Sequence, residues 1–210
     1  MSSSIRKPSN LAVYEQYRPQ IKTGDVIAFS GRSGFSGFIK LFTNSKYSHV
    51  GIVIKSDTEM FGDTIFLVES TTELGTTNYD GRQVIKGVQT HFLSQRLALY
   101  QGGAWIFPLK ESLSIEGSQK MVKWLRNSYA KAVPYDSVQI FGAGLDAIES
   151  AVGLQNKPDY TRLFCSELVA KALLLGGALD PEDNINPSSQ SPAEITRLKC
   201  FGSPLEVRFR

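Results

Sequence analysis

Apolar residues are distributed differently in the two halves of the chain. Upstream of Pro108 they fall in short, β-branched runs: GDVIAF (24–29), SHVGIVIKS (48–56) and DTIFLVEST (63–71). Such runs, bounded by turn-forming residues, predict strands. RQVIKGVQT (82–90) alternates as a half-buried strand does, and RLALYQGGAWIFPLK (96–110) predicts two more strands about a Gly-Gly turn. Downstream the spacing lengthens to three and four. In SIEGSQKMVKWLRNSYAKA (114–132), Met121, Val122, Leu125 and Tyr129 share one helical face. VPYD (133–136) reads as a turn, and Val138, Phe141, Leu145 and Ile148 predict the next helix. YTRLFCSELVAKALLLGG (160–177) predicts a third, stopped by Gly176 and Gly177. SPAEITRL (191–198) carries a capping box, Ser191 with Glu194, and Pro192 at the first helical position. PLEVRF (204–209) returns to strand character. The outline is an α+β fold, with an antiparallel sheet drawn largely from the first half and helices largely from the second. Residues 1–20 read as a polar lead-in, and 21–210 as one domain.

Composition narrows the function classes. At 210 residues, 41% apolar and 20% charged, the chain is an ordinary globular protein able to bury a core. A net charge of +3, with both signs mixed along the chain, lacks the concentrated basic face of a nucleic-acid binder. The N-terminal twenty residues contain no signal-type apolar core, and no apolar run approaches a membrane span, so the expected location is the cytoplasm. Cys165 and Cys200 are too few for a disulfide framework, and a reducing compartment argues against pairing them. With His49 and His91 they also lack the close ligand spacing of a zinc site. No metal and no cofactor is expected.

What chemistry remains centres on a cysteine. A nucleophilic thiol needs a base and a group that orients the base. Cys165 reads as lying in the first turn of its helix, where backbone N–H groups favour an anion and its own N–H faces a developing oxyanion. Glu167, in the same predicted turn, opposes a thiolate, so a neighbouring imidazolium is required. His49 opens the strand SHVGIVI and is the better base; His91, in VQTHFLSQR, has no rigid apolar context after it. Glu69, ending IFLVE, is the carboxylate best placed to accept from an imidazole. Each residue alone has a plainer reading: a core cysteine, a strand-end histidine bonded to backbone, an exposed carboxylate. Cys200, in RLKCFGSP, keeps the plainer one.

Taken together, GDVIAF, SHVGIVI, FLVEST, Gly87-Val88, PYD, FCSELV and SPAEI resemble the circularly permuted branch of the NlpC-like papain-fold superfamily, its YiiX-like group. The order His, polar residue, Cys is that of the permuted branch. The resemblance covers roughly residues 24–198. It implies a papain-like sheet packed against a helix bundle carrying a catalytic Cys165, with His49 as base and Glu69 as the orienting member. Tyr135 of PYD matches a recurrent family tyrosine facing the site; its plainer reading is a turn tyrosine packed on the domain. The activity implied is hydrolysis of an amide in a peptide or cell-wall fragment through an acyl-thioester.

One stretch keeps alternatives open. In SGRSGFSGFIKLFTNSKYSH (30–49), Phe35, Phe38, Ile39 and Phe42 line one helical face among basic residues. Packing on the core is the plainer reading. An apolar wall for an acyl chain, touching a membrane surface through residues 34–42, would make the protein a lipid acyl hydrolase or acyltransferase. A binding module that retains the fold without catalysis is the third reading. The partner is in any case a small peptide or lipid-like substrate, and oligomeric state is not legible.

Overall fold

The computed structural model describes residues 11–31, 45–56, 64–134, 160–180, 182 and 185–208, with backbone alone over 160–164. Helix α1 (Ala12–Tyr17) and a 3₁₀ turn (Arg18–Gln20) lead into β1 (Val26–Ser30), β2 (His49–Ser56), β3 (Thr64–Thr71) and β4 (Gly87–Phe92). Helix α2 (Leu93–Leu99) and β5 (Gly103–Phe107) follow, then α3 (Ile115–Ala130) and α4 (Tyr160–Gly176). A 3₁₀ turn (Pro187–Ser189), α5 (Pro192–Ile195) and β6 (Leu205–Arg208) complete the order. The strands form a six-stranded antiparallel sheet in the order β4-β3-β2-β1-β5-β6.

Both faces of this sheet are covered, which is why its central strands read as continuous apolar runs rather than alternating ones. On one face Val26, Ala28, Val50, Ile52, Val68, Trp105 and Phe107 pack against Met121, Leu125 and Tyr129 of α3 and Leu168, Val169 and Leu173 of α4. On the other, Ile27, Phe29, Val53, Ile65, Leu67 and Ile106 pack against Tyr14 of α1 and Leu93 and Leu97 of α2. The segment read as a polar lead-in thus supplies a fully buried tyrosine.

Two strand assignments shift. The first of the two strands expected in 96–110 is instead helix α2, because Leu93 and Leu97 bury at a spacing of four, the helical repeat. The strand expected at 82–90 runs from Gly87 to Phe92. It starts there because Gly87 adopts φ +151° and lets the Val133 carbonyl come within 2.3 Å of where a Cβ would stand. The Val88 N–H donates to that carbonyl, tying residues 133–134 to the sheet.

The helices follow their capping signals. Ser114 caps α3 by accepting from the Gly117 N–H. α4 stops at Gly177, φ +72°, with Gly177 and Ala178 N–H groups donating to Leu174 and Leu173 carbonyls in a Schellman arrangement. The capping box of Ser191 and Glu194 is formed in both directions. The helix expected over 137–153, the apolar loop 34–42 and Tyr135 lie outside the described residues. Among those residues no helix is long and apolar enough to cross a membrane.

Candidate active site

Glu69 is the hub. It is 0% exposed, an arrangement that costs heavily unless both oxygens are bonded. Its Oε2 accepts from His49 Nε2 at 2.5 Å, and its Oε1 accepts from Arg96 Nε at 2.6 Å. Arg96 Nη2 also donates to Oε2 at 3.4 Å, and His91 Nε2 stands 3.3 Å from Oε1. Room for the carboxylate comes from Gly51 on the neighbouring strand: a Cβ there would lie 3.1 Å from Glu69 Cβ and 2.8 Å from Leu67 Cδ1. Burial works against ionisation of Glu69, but Arg96, the His49 hydrogen bond and the His49 and His91 charges hold its carboxyl well below the usual carboxylate range.

His49 is the first residue of β2, paired with Phe29 of β1, and its ring lies 5.7 Å from the Phe29 ring. Phe29 and Glu69 belong to the α2 face of the sheet, whereas Cys165 belongs to the core of the α3–α4 face. Only a residue at the end of a strand can meet both. With Nε2 on Glu69, the imidazole also hydrogen-bonds the Cys165 side chain. Burial pushes the His49 imidazole down, but the Cys165 sulfur and the Glu69 carboxylate push it up further, to about 10.

Cys165 itself is 1% exposed. The expectation that it opens its helix is corrected: α4 begins at Tyr160 and has no acidic residue in its first turn, so Cys165 and Glu167 lie deeper. The free N–H groups of a helix and most of its dipole effect are confined to the first turn. The Cys165 N–H is therefore committed to the helix, and the partner that matters to the sulfur is His49. The turn after Cys165 is bolted to the segment before α5. Ser166 Oγ donates to the Gln190 carbonyl, and Ser188 Oγ donates to Glu167 Oε1 at 2.8 Å. Burial pushes the Glu167 carboxyl up despite that bond and the Lys171 charge.

His49, Glu69 and Cys165 are thus brought together, while Tyr135 is outside the described residues. His91, set aside as a base, reaches the site by another route. Its Nδ1 donates to the Thr77 carbonyl at 2.9 Å, which turns Nε2 toward Glu69, and the apolar context after it is supplied by α2. Arg96 was not anticipated. Its signal is present, since it falls among Leu93 and Leu97 on the apolar side of LSQRLAL, where a charge must find a buried partner.

No protein-family model matches the chain, and no curated protein matches it. Among solved structures, the metalloprotein yiiX from Escherichia coli O157:H7 is similar, with a TM-score of 0.51 at 18% identity over 91% of this chain and 99% of that one. At that identity the likeness is one of fold. The chain has a YiiX-like α+β fold.

Proposed function

We propose that the protein is a cysteine-dependent hydrolase, built on a papain-like sheet of the circularly permuted NlpC type, that cleaves an amide bond in a small peptide or cell-wall fragment. The observation that carries the reading is the hydrogen-bonded chain Cys165–His49–Glu69, closed by a carboxylate with no exposure. A cysteine that merely fills a core has no need of an imidazole oriented by a buried carboxylate.

The chemistry follows from the residues. His49 takes the Cys165 proton, and the resulting imidazolium is stabilised by ionised Glu69. The sulfur attacks the carbonyl carbon; the tetrahedral intermediate collapses as the C–N bond breaks, and the imidazolium gives its proton to the departing amine. The acyl group is left as a thioester. Water then attacks, giving one proton to His49, which returns it to the sulfur as the acid product leaves. Glu69 stays ionised throughout. Acting in the cytoplasm, such an enzyme would meet peptides or released fragments rather than intact wall.

The structural neighbour is a metalloprotein, but a metal does not fit here. Both Glu69 oxygens are engaged, one by a guanidinium, and among the described residues no group of three or more His, Cys, Asp or Glu side chains could hold an ion. No step is routed through one.

A covalent trap tests the reading. Wild type and Cys165→Ser are incubated with a panel of amides, acylated peptides and lipid esters, and residue 165 is examined by mass spectrometry. A peptidyl mass on Cys165, absent from the serine variant, is expected. A fatty acyl mass would replace the amide reading with acyl transfer or lipid hydrolysis, and no adduct with any substrate would leave a binding module.

A further inference from the structure

We propose that Arg96 is a positioning residue for this site: its planar fork fixes the Glu69 carboxylate in the ionised form and orientation that His49 requires. The inference rests on the hydrolase reading above and adds a fourth residue to it.

Arg96 is 2% exposed and sits on α2, not on the strands that carry His49 and Glu69. It spans both Glu69 oxygens, Nε to Oε1 at 2.6 Å and Nη2 to Oε2 at 3.4 Å, and Oε2 is the oxygen that accepts from His49. Nη2 reaches outward to Glu73 Oε2 at 2.8 Å. The guanidinium lies over the rings of Phe29 and Tyr100, at 5.0 and 5.2 Å, and the same Phe29 ring supports His49. One aromatic residue therefore backs both Arg96 and His49.

The charges around the pair are accounted for from each element. β3 and the turn after it supply Glu69 and Glu73, β2 supplies His49, β4 supplies His91, and Tyr100 follows α2. Arg208 of β6, whose charge acts on Tyr100, donates through Nε to the Gly102 carbonyl and through Nη1 to the Leu97 carbonyl. Arg96 is thus the only guanidinium among these groups that bonds Glu69. Without it the carboxylate would face His49 and His91 alone, in a setting where burial favours its neutral form. A neutral Glu69 neither accepts strongly from the imidazole nor stabilises the imidazolium. Lysine would restore charge but not the two-point contact, because an ammonium is a point donor without a planar fork.

The experiment compares wild type with Arg96→Met and Arg96→Lys, following alkylation of Cys165 by iodoacetate across pH, with Cys200 in the same molecule as reference. Iodoacetate is anionic, so its rate senses the imidazolium as well as the sulfur. For Arg96→Met the alkaline limb is expected to move down by about one unit, so that the rate on the alkaline side of the limb is about 10-fold lower than in wild type. Arg96→Lys should fall between that variant and wild type, with a limb still below that of wild type. A purely structural Arg96 would lower the melting temperature and leave both rate and limb unmoved, which overturns the proposal. Should Arg96→Met fail to fold, the Arg96→Lys profile decides alone: a wild-type limb overturns the inference. Failure of the hydrolase reading looks different. Wild-type Cys165 would then react no faster than Cys200 and without dependence on His49, and the inference would fall with it.

Discussion

Gly51 packs against Glu69 so closely that a Cβ on it would stand 3.1 Å from Glu69 Cβ and 2.8 Å from Leu67 Cδ1. Leu67 is fully buried and cannot swing away without opening the core beneath it. Gly51→Ala therefore displaces the strand that carries the hub carboxylate. Overpacking of this kind costs about 1–3 kcal/mol. Urea unfolding should show a lower midpoint at unchanged slope, and Cys165 alkylation should slow. An alanine variant as stable and as reactive as wild type would refute the packing account.

His49→Ala removes the group that hydrogen-bonds the Cys165 side chain. Loss of a positioned proton-transfer partner typically costs on the order of 10²-fold or more. With iodoacetamide at neutral pH, wild-type Cys165 should be labelled much faster than Cys200, and the variant should lose that difference. Equal, slow labelling of both cysteines in wild type would favour the binding module.

Glu69→Gln keeps the shape of the side chain and deletes its charge. Arg96 would keep its bond to Glu73 but lose its buried partner. Breaking a buried ion pair costs about 3–5 kcal/mol; because Glu73 remains, the lower end, about 3 kcal/mol, is expected in urea unfolding. A neutral effect on stability would mean that Glu69 is not ionised in the folded protein.

The pH dependence follows from His49. Its imidazole is raised in the folded protein to about 10, against burial, by Cys165 and Glu69. A raised folded-state value means the protonated form stabilises the fold. That contribution is complete below the unfolded value of about 6.5 and disappears as pH climbs through the folded value. The iodoacetate rate at Cys165 should hold through neutral pH and decline along a limb near 10. The stability component removed by His49→Ala should decline over the same window. A limb at the ordinary histidine value would show that the Cys165–His49–Glu69 chain is not formed in solution.

Gly87→Ala tests how the site's flank is tied down. At φ +151°, with the Val133 carbonyl 2.3 Å from the position of a Cβ, alanine must push residues 133–134 off β4. Forcing a side chain where the backbone conformation and space exclude it costs about 1–3 kcal/mol, measurable as a lower urea midpoint; amide exchange at Val88, whose N–H donates to Val133, should accelerate. Unchanged protection at Val88 would count against this account.

Local signals were enough for much of this architecture. Turn residues and β-branched runs located β1, β2 and β3; the three-and-four spacing of Met121, Leu125 and Tyr129 located α3; Ser191 and Glu194 announced a cap that is formed. Each depends on neighbours within a few positions, and such interactions are written in the chain directly. The sequence also singled out His49, Glu69 and Cys165 as the residues to watch. It misjudged α2, because RLALYQGGAWIF has the composition of strands while the buried pair, Leu93 and Leu97, obeys a helical repeat that begins upstream of it.

What only the tertiary structure decided is how these pieces meet. The helix of Cys165 and the helix of Arg96 lie on opposite faces of one sheet, and His49 joins them only because it stands at the end of β2. The charge on Glu69 is set by Arg96, 27 positions away in the chain, and by a burial that no local pattern records. Protonation in a buried cluster is a property of every charge within a few ångströms, whatever their separation in sequence. The chain named the residues; packing around the end of one strand determined which of them act on each other.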